Sequence, residues 1–201
     1  TEAVDRAMRP IMEAAGWSLS SLTCTDGPPG IVTQADYEDA AALMAAWVRN
    51  HAAGVQAIVV ACFSDPGLQA ARELVPVPVL GLGESGLRAA LSLGRRVGVV
   101  AVADAAIPRH LRYWERLGLA EKVVGERALN LAVAESGDAA IAMDRMRDAA
   151  AWLRDERGAD VILLGCAGMA ALRAPLQQAV GLPVVDPCEA AAHAAVREVL
   201  P

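Results

Sequence analysis

Two stretches of this chain repeat one another, and the repeat limits the possible folds more than any other feature. Residues 57–91 read AIVVACFSDPGLQAARELVPVPVLGLGESGLRAAL, and residues 160–196 read DVILLGCAGMAALRAPLQQAVGLPVVDPCEAAAHAAV. Each is an apolar strand ending in cysteine, a helix, a proline-initiated strand and a helix opening on glutamate. Cys62 lies 16 residues before Pro78, and Cys166 lies 17 before Pro183. Glu84 and Glu189 each follow their proline by six. A strand-helix-strand unit with unbroken apolar strands belongs in a parallel sheet covered on both faces. The duplication therefore predicts two pseudo-symmetric α/β lobes of flavodoxin type with parallel sheets. The first is expected over residues 1–94 and the second over 95–187. Residues 188–201, holding the last helix, should pack back on the first.

The remaining pattern agrees. Strands are predicted at 17–24, 56–62, 77–82, 96–103, 122–127, 160–165 and 183–186. Helices are predicted at 33–51, 66–74, 84–93, 108–117, 138–157, 169–180 and 189–199. Ser64 or Asp65 suits the N-cap of helix 66–74, with Pro66 in its first turn. Shifting the strand at 96–103 back by the cysteine offset (166 minus 62, or 104) puts its counterpart before residue 1. A first strand and its loop are thus expected to be missing from this numbering.

The chain has 201 residues, 55% of them hydrophobic and only 3% aromatic, so its core must be aliphatic. A net charge of −6 argues against nucleic acid as the main partner. The apolar run at 57–63 is far too short to span a membrane. The first residues are acidic and helical in pattern and show no secretory leader. Cys24, Cys62, Cys166 and Cys188 form no Cys-x-x-Cys pair, and His51, His110 and His193 have no zinc spacing to them. No metal site is expected. The thiols should be free, in a reducing cytoplasm. The alanine-rich helices point to a homo-oligomer.

Cys62 and Cys166 carry the chemistry. Each is predicted at the carboxyl end of a buried strand, where open parallel sheets place their ligands. A helix N-terminus just beyond should lower each thiol pKa toward neutrality. Related by a pseudo-twofold, the two thiols would face each other across the lobe interface. Opposed thiols suit stereoinversion at an acidic carbon: a thiolate removes the proton on one face and a thiol returns one on the other. The enolate between them needs fixed donors, but no metal or cofactor.

The segments Cys62-Phe63-Ser64-Asp65-Pro66-Gly67-Leu68, Pro78-Val79-Leu80-Gly81-Leu82-Gly83-Glu84 and Leu164-Gly165-Cys166-Ala167-Gly168-Met169 resemble those of hydantoin racemases. That family lies within the aspartate/glutamate racemase superfamily, which also holds allantoin racemases, maleate isomerases and arylmalonate decarboxylases. The resemblance spans nearly the whole chain. It implies a cofactor-independent racemase acting on a small molecule, with Cys62 and Cys166 catalytic. Amino-acid racemases of the superfamily resemble Cys-Asn-Thr and Gly-Cys-Thr-His at these sites. Here Phe63-Ser64 and Ala167-Gly168 stand instead, which suits a neutral ring such as a 5-substituted hydantoin. Phe63, Ser64, Asp65, Ala167, Gly168 and Met169 are the expected substrate-binding residues. Asp104-Ala105-Ala106 departs from the hydroxyl residue many relatives carry after that strand. Allantoin is the alternative substrate, and a two-lobed binding protein without chemistry the non-enzymatic alternative.

Other polar residues have plainer readings. Cys24 and Cys188 read as structural. Glu84 and Glu189 fall in first helical turns, where they favour the dipole. His193 is spaced to pair with Glu189. His51 and His110 read as helix-surface residues. Gly81-Leu82-Gly83 is a weak nucleotide signal.

Overall fold

In the computed structural model, residues 1–199 are described. The elements run α1 (Glu2–Ala14), α2 (Gln34–His51), β1 (Ile58–Val60), α3 (Leu68–Leu74), β2 (Val79–Gly81), α4 (Leu82–Leu93), β3 (Val97–Ala101) and α5 (Ile107–Arg116). Then follow β4 (Val123–Ala128), α6 (Ala139–Asp155), β5 (Val161–Leu164), α7 (Arg173–Val180), β6 (Val184–Val185) and α8 (Pro187–Val199). Every strand pairing is parallel. One sheet is β1–β2, with Ile58 opposite Val79. The other has the order β4-β3-β5-β6, with Val97 opposite Val161.

The second sheet shows why its strands read as unbroken apolar runs. Side chains alternate across a strand, yet both faces here are covered. Ile162 and Leu164 pack with Met146, Ala150 and Leu153 of α6 and Leu176 of α7. Val161 and Leu163 pack with Leu87 and Ala90 of α4 and Trp114 of α5. Burying each such side chain stabilises the fold by about 1.5–3 kcal/mol. α4 follows β2 of the first sheet but covers the second, so the two halves share a core. α8 leaves β6 and packs its Ala191 and Ala192 beside Met8 and Met12 of α1.

Several sequence expectations need correction. Residues 17–24 form no strand: the Trp17 N–H donates to Met12 O of α1, and Arg9 Nη2 donates to Leu19 O. A strand needs a neighbouring ladder, and these groups are held by α1 instead. The helix expected at 169–180 is a 3₁₀ segment, Ala167–Leu172, followed by α7. His110 is buried at 3% exposure rather than on a helix surface, because α5 docks against the first half of the chain. Glu189 pairs with Arg173 at 3.2 Å rather than with His193, which is exposed.

Helix capping departs most. Gly67, at φ 70°, is the N-cap of α3 and has no side chain to cap with. Asp65, buried at 3% exposure, caps α4 instead, accepting from Gly83 N at 3.0 Å and Glu84 N at 2.8 Å. It also accepts from the Tyr113 hydroxyl at 2.8 Å, which ties α5 to the first half. Its φ of 49° is left-handed, a costly conformation for a non-glycine residue that these bonds hold in place.

Burial pushes the Asp65 carboxyl up from 3.8 to about 7, against the pull of its three donors. A raised folded value means its titration favours folding below pH 3.8, and this contribution fades as pH rises toward 7. Asp65→Asn, which cannot ionise, should show stability that varies less across that window. Asp65→Ala should cost about 2 kcal/mol by stranding two helix N–H groups and a buried hydroxyl. Urea unfolding of both variants on either side of the window measures these effects.

Candidate active site

The first cysteine sits in a tight turn beyond β1. Cys62 N donates to Val60 O at 2.9 Å, and Asp65 N donates to Cys62 O at 3.0 Å. The Ser64 N–H lies near enough to the Cys62 sulfur to favour its thiolate. α3 begins only at Leu68, so no helix N-terminus adjoins this thiol. The expected lowering of its pKa does not occur. Burial pushes the Cys62 thiol up to about 12, and negative charge on Asp65 or Cys166 adds to the rise. The Ser64 N–H and the Arg109 guanidinium pull it back only in part.

The second cysteine has a parallel arrangement. Cys166 follows β5 and is the N-cap of the 3₁₀ segment. Its sulfur accepts from Gly168 N, two residues on, at 3.4 Å. Ser136 Oγ lies 3.5 Å from the Cys166 sulfur and donates to Val133 O at 2.8 Å. With its proton engaged there, the hydroxyl oxygen can accept from the thiol; by rotating, it can donate to the thiolate. A side chain at Gly168 would run into Ser136 Oγ. Gly30, in the loop before α2, meets Val133 so closely that a Cβ would lie 2.9 Å from its methyl group.

Ser64, Ala167 and Gly168 adjoin the thiols. Phe63 is buried instead, edge-on to His110 with ring centroids 5.1 Å apart and to Trp114 at 5.9 Å. Met169 is fully buried in the second core, and Asp65 is occupied as the α4 cap. Cys188 is buried, and burial pushes its thiol well above the usual range; Cys24 is half-buried. Among the described residues no cluster of three or more His, Cys, Asp or Glu could hold a metal. Nor, among the described residues, is any helix long and apolar enough to cross a membrane.

The sequence missed a polar group behind Ser64. The Ser64 hydroxyl lies 3.4 Å from His110 Nε2 and accepts from Arg109 Nη2 at 3.3 Å. His110 Nδ1 is 2.9 Å from Glu126, whose other oxygen takes the Trp114 indole N–H at 2.7 Å. The spacing of His110, Tyr113 and Trp114 on one face of α5 was the available signal. Nothing in the sequence marked Ser136.

The family model for Asp/Glu/Hydantoin racemase matches residues 1–195. The chain belongs to the Asp/Glu/Hydantoin racemase family. A hydantoin racemase of Rhizobium meliloti is 34% identical over 188 residues, covering 90% of this chain and 76% of that protein. One from Paenarthrobacter aurescens is 31% identical, covering 97% and 84%. The solved allantoin racemase of Klebsiella pneumoniae superposes with a TM-score of 0.89 at 29% identity, covering 96% of this chain and 80% of that one. The protein is thus a racemase, in the class of isomerases, with the α/β racemase fold.

In this racemase, Cys62 should therefore be protonated at neutral pH when no ligand is bound. Ultraviolet titration of wild type against Cys62→Ser should show a thiolate step belonging to Cys62 only close to pH 12. A step near neutrality would contradict the geometry.

Proposed function

We propose that the chain racemises 5-substituted hydantoins by proton transfer between Cys62 and Cys166, without a cofactor. The observation that carries this reading is the pair of cysteines at matched positions, each just beyond the carboxyl end of a parallel strand in the repeat, with the Gly168 N–H bonded to Cys166 and the Ser64 N–H near Cys62. In one direction the Cys166 thiolate takes the C5 proton and becomes a thiol. The electron pair left on carbon delocalises into the adjacent carbonyl as an enolate. Cys62 then delivers its proton to the opposite face and becomes the thiolate. One proton enters and one leaves, so net charge is conserved and the next turnover can run in reverse. The high Cys62 pKa fits a resting thiol, the proton donor in this direction. Ser136 serves Cys166 in both protonation states. The backbone N–H groups of Ser64 and Gly168 hold negative charge near the sulfurs.

Ser64, Ala167 and Gly168 bring no charged side chain to the thiols, which favours a neutral ring over an amino-carboxylate. The allantoin racemase likeness favours a second reading, because allantoin is itself a hydantoin with a ureido group on C5.

Incubation of one pure hydantoin enantiomer in deuterated water tests both. Optical rotation should decay while deuterium enters at C5. Cys62→Ala and Cys166→Ala should each slow racemisation by about 10³-fold, the usual worth of a positioned acid or base. Retained rotation with the intact protein would favour a binding protein, and turnover of allantoin alone would favour the second reading.

Ser136→Ala should lower kcat by about tenfold, the loss of roughly one hydrogen bond. KM should stay nearly unchanged, since the hydroxyl touches the sulfur.

A further inference from the structure

A cavity of about 510 Å³ opens between α2 and α5. Arg109, Arg112 and Arg116 of α5 line it, facing Gln34 and Tyr37 of α2, with Ser64 on one wall. Neither Cys62 nor Cys166 lines it. The three arginines fall at i, i+3 and i+7, on one face of the helix. Among the described residues none of them has a carboxylate within ion-pair distance. The one acidic side chain on the lining, Glu115, is exposed.

Arg109 shows what is lacking. It is buried at 6% exposure. Its Nη1 donates to Val32 O at 3.3 Å and Thr33 O at 3.1 Å, and its Nη2 to Ser64 Oγ at 3.3 Å. All three acceptors are neutral. Nε is buried with no partner, so the Nε–Nη2 edge of the guanidinium is only half used. That edge is the fork that takes a carboxylate or phosphate through two parallel bonds. A buried cation with neutral partners only is poorly compensated, and desolvation accordingly pulls its pKa down. Arg112 donates to Gln34 Oε1 at 3.0 Å, and Arg116 lies over the Tyr113 ring, so both heads are held at the cavity.

We propose that this cavity, which adjoins the Cys62 loop through Ser64 and Arg109 but has neither cysteine on its lining, is a binding site for a small oxyanion, a carboxylate or phosphate group. The anion supplies the counter-charge Arg109 lacks, and Arg112 and Arg116 close over it. The proposal does not depend on the substrate of the racemase.

Isothermal titration of the full chain at low ionic strength, with inorganic phosphate and with succinate, tests it. Saturable binding of at least one anion at one site per chain is expected, with none for glycerol. The tighter of the two identifies the headgroup. Arg112→Ala/Arg116→Ala should weaken binding at least tenfold; should that pair fail to fold, Arg112→Gln alone, at an exposed position, gives the same reading. Cys62→Ser/Cys166→Ser should bind the anion as wild type does. Absence of saturable binding, binding unchanged in the arginine variants, or loss of binding in the cysteine variant would each overturn the proposal.

Discussion

The first cysteine loop depends on one buried carboxylate. Asp65 lies three residues beyond Cys62, ends the α4 helix with two backbone bonds, and takes the Tyr113 hydroxyl of α5. One side chain thus joins the loop that carries Cys62, a helix of the first half and a helix of the second. The second half meets the same need differently. Asp186, at the end of β6, accepts from Cys188 N at 3.0 Å and Glu189 N at 3.3 Å and so caps α8. The offset between Glu84 and Glu189 is 105, and the residue 105 before Asp186 is Gly81. A Cβ at Gly81 would overlap the Asp65 carboxyl. The carboxylate reaches the same place in both repeats, from the adjoining residue in one and from the cysteine loop in the other. The exchange needs glycine at 81 because the incoming side chain fills the volume a side chain there would take.

This exchange makes the two thiols unequal. Asp65 lies close enough to Cys62 that its charge disfavours a second anion on the sulfur, and α5 covers the loop from outside. Cys166 has no carboxylate in its own loop; its neighbour is the Ser136 hydroxyl, able to accept or donate. A pseudo-twofold in the backbone is therefore compatible with an electrostatic asymmetry in the site. An exchange of protons between two faces needs one group protonated while the other is not. In the proposed exchange, the desolvation of Cys62 favours its thiol form.

What could be read in the sequence was local. The β-branched, unbroken strands, the glutamates in first helical turns and the cysteines at strand ends each depend on residues near in sequence, and the duplication doubled their signal. Long-range docking was not legible. His110 looks like a surface residue while α5 is considered alone; it is buried because α5 closes on Phe63 and Ser64, some 46 residues earlier. Asp65 beside Pro66 has the chemistry of an N-cap, and it is one, but for a helix that begins 17 residues on. Ser136 sits in a short 3₁₀ turn with no periodicity, so only the approach of Cys166, 30 residues later, gives it meaning. Residues 17–24 read as a strand from their local composition, but composition fixes only what a residue could form. It does not supply a partner edge.

The placement of polar groups separates folding from chemistry in most of the molecule. Between their ends, β3 and β5 are buried in aliphatic and aromatic side chains on both faces, with no titratable group among the strand residues. Cys62 and Cys166 both lie beyond the carboxyl ends of their strands, where backbone N–H groups are free to point at a ligand. Substituting Ser136 or either thiol removes atoms from those loops and leaves both cores intact. Asp65 is the exception, because it both fixes the Cys62 loop and terminates a helix that covers the second sheet. A change there cannot touch activity alone: loosening the cap of α4 disturbs Leu87 and Ala90, which pack against Val161 and Leu163 on the strand leading to Cys166. The two sulfurs, on separate sheets, are in this way held to one frame by a side chain that need not react with anything.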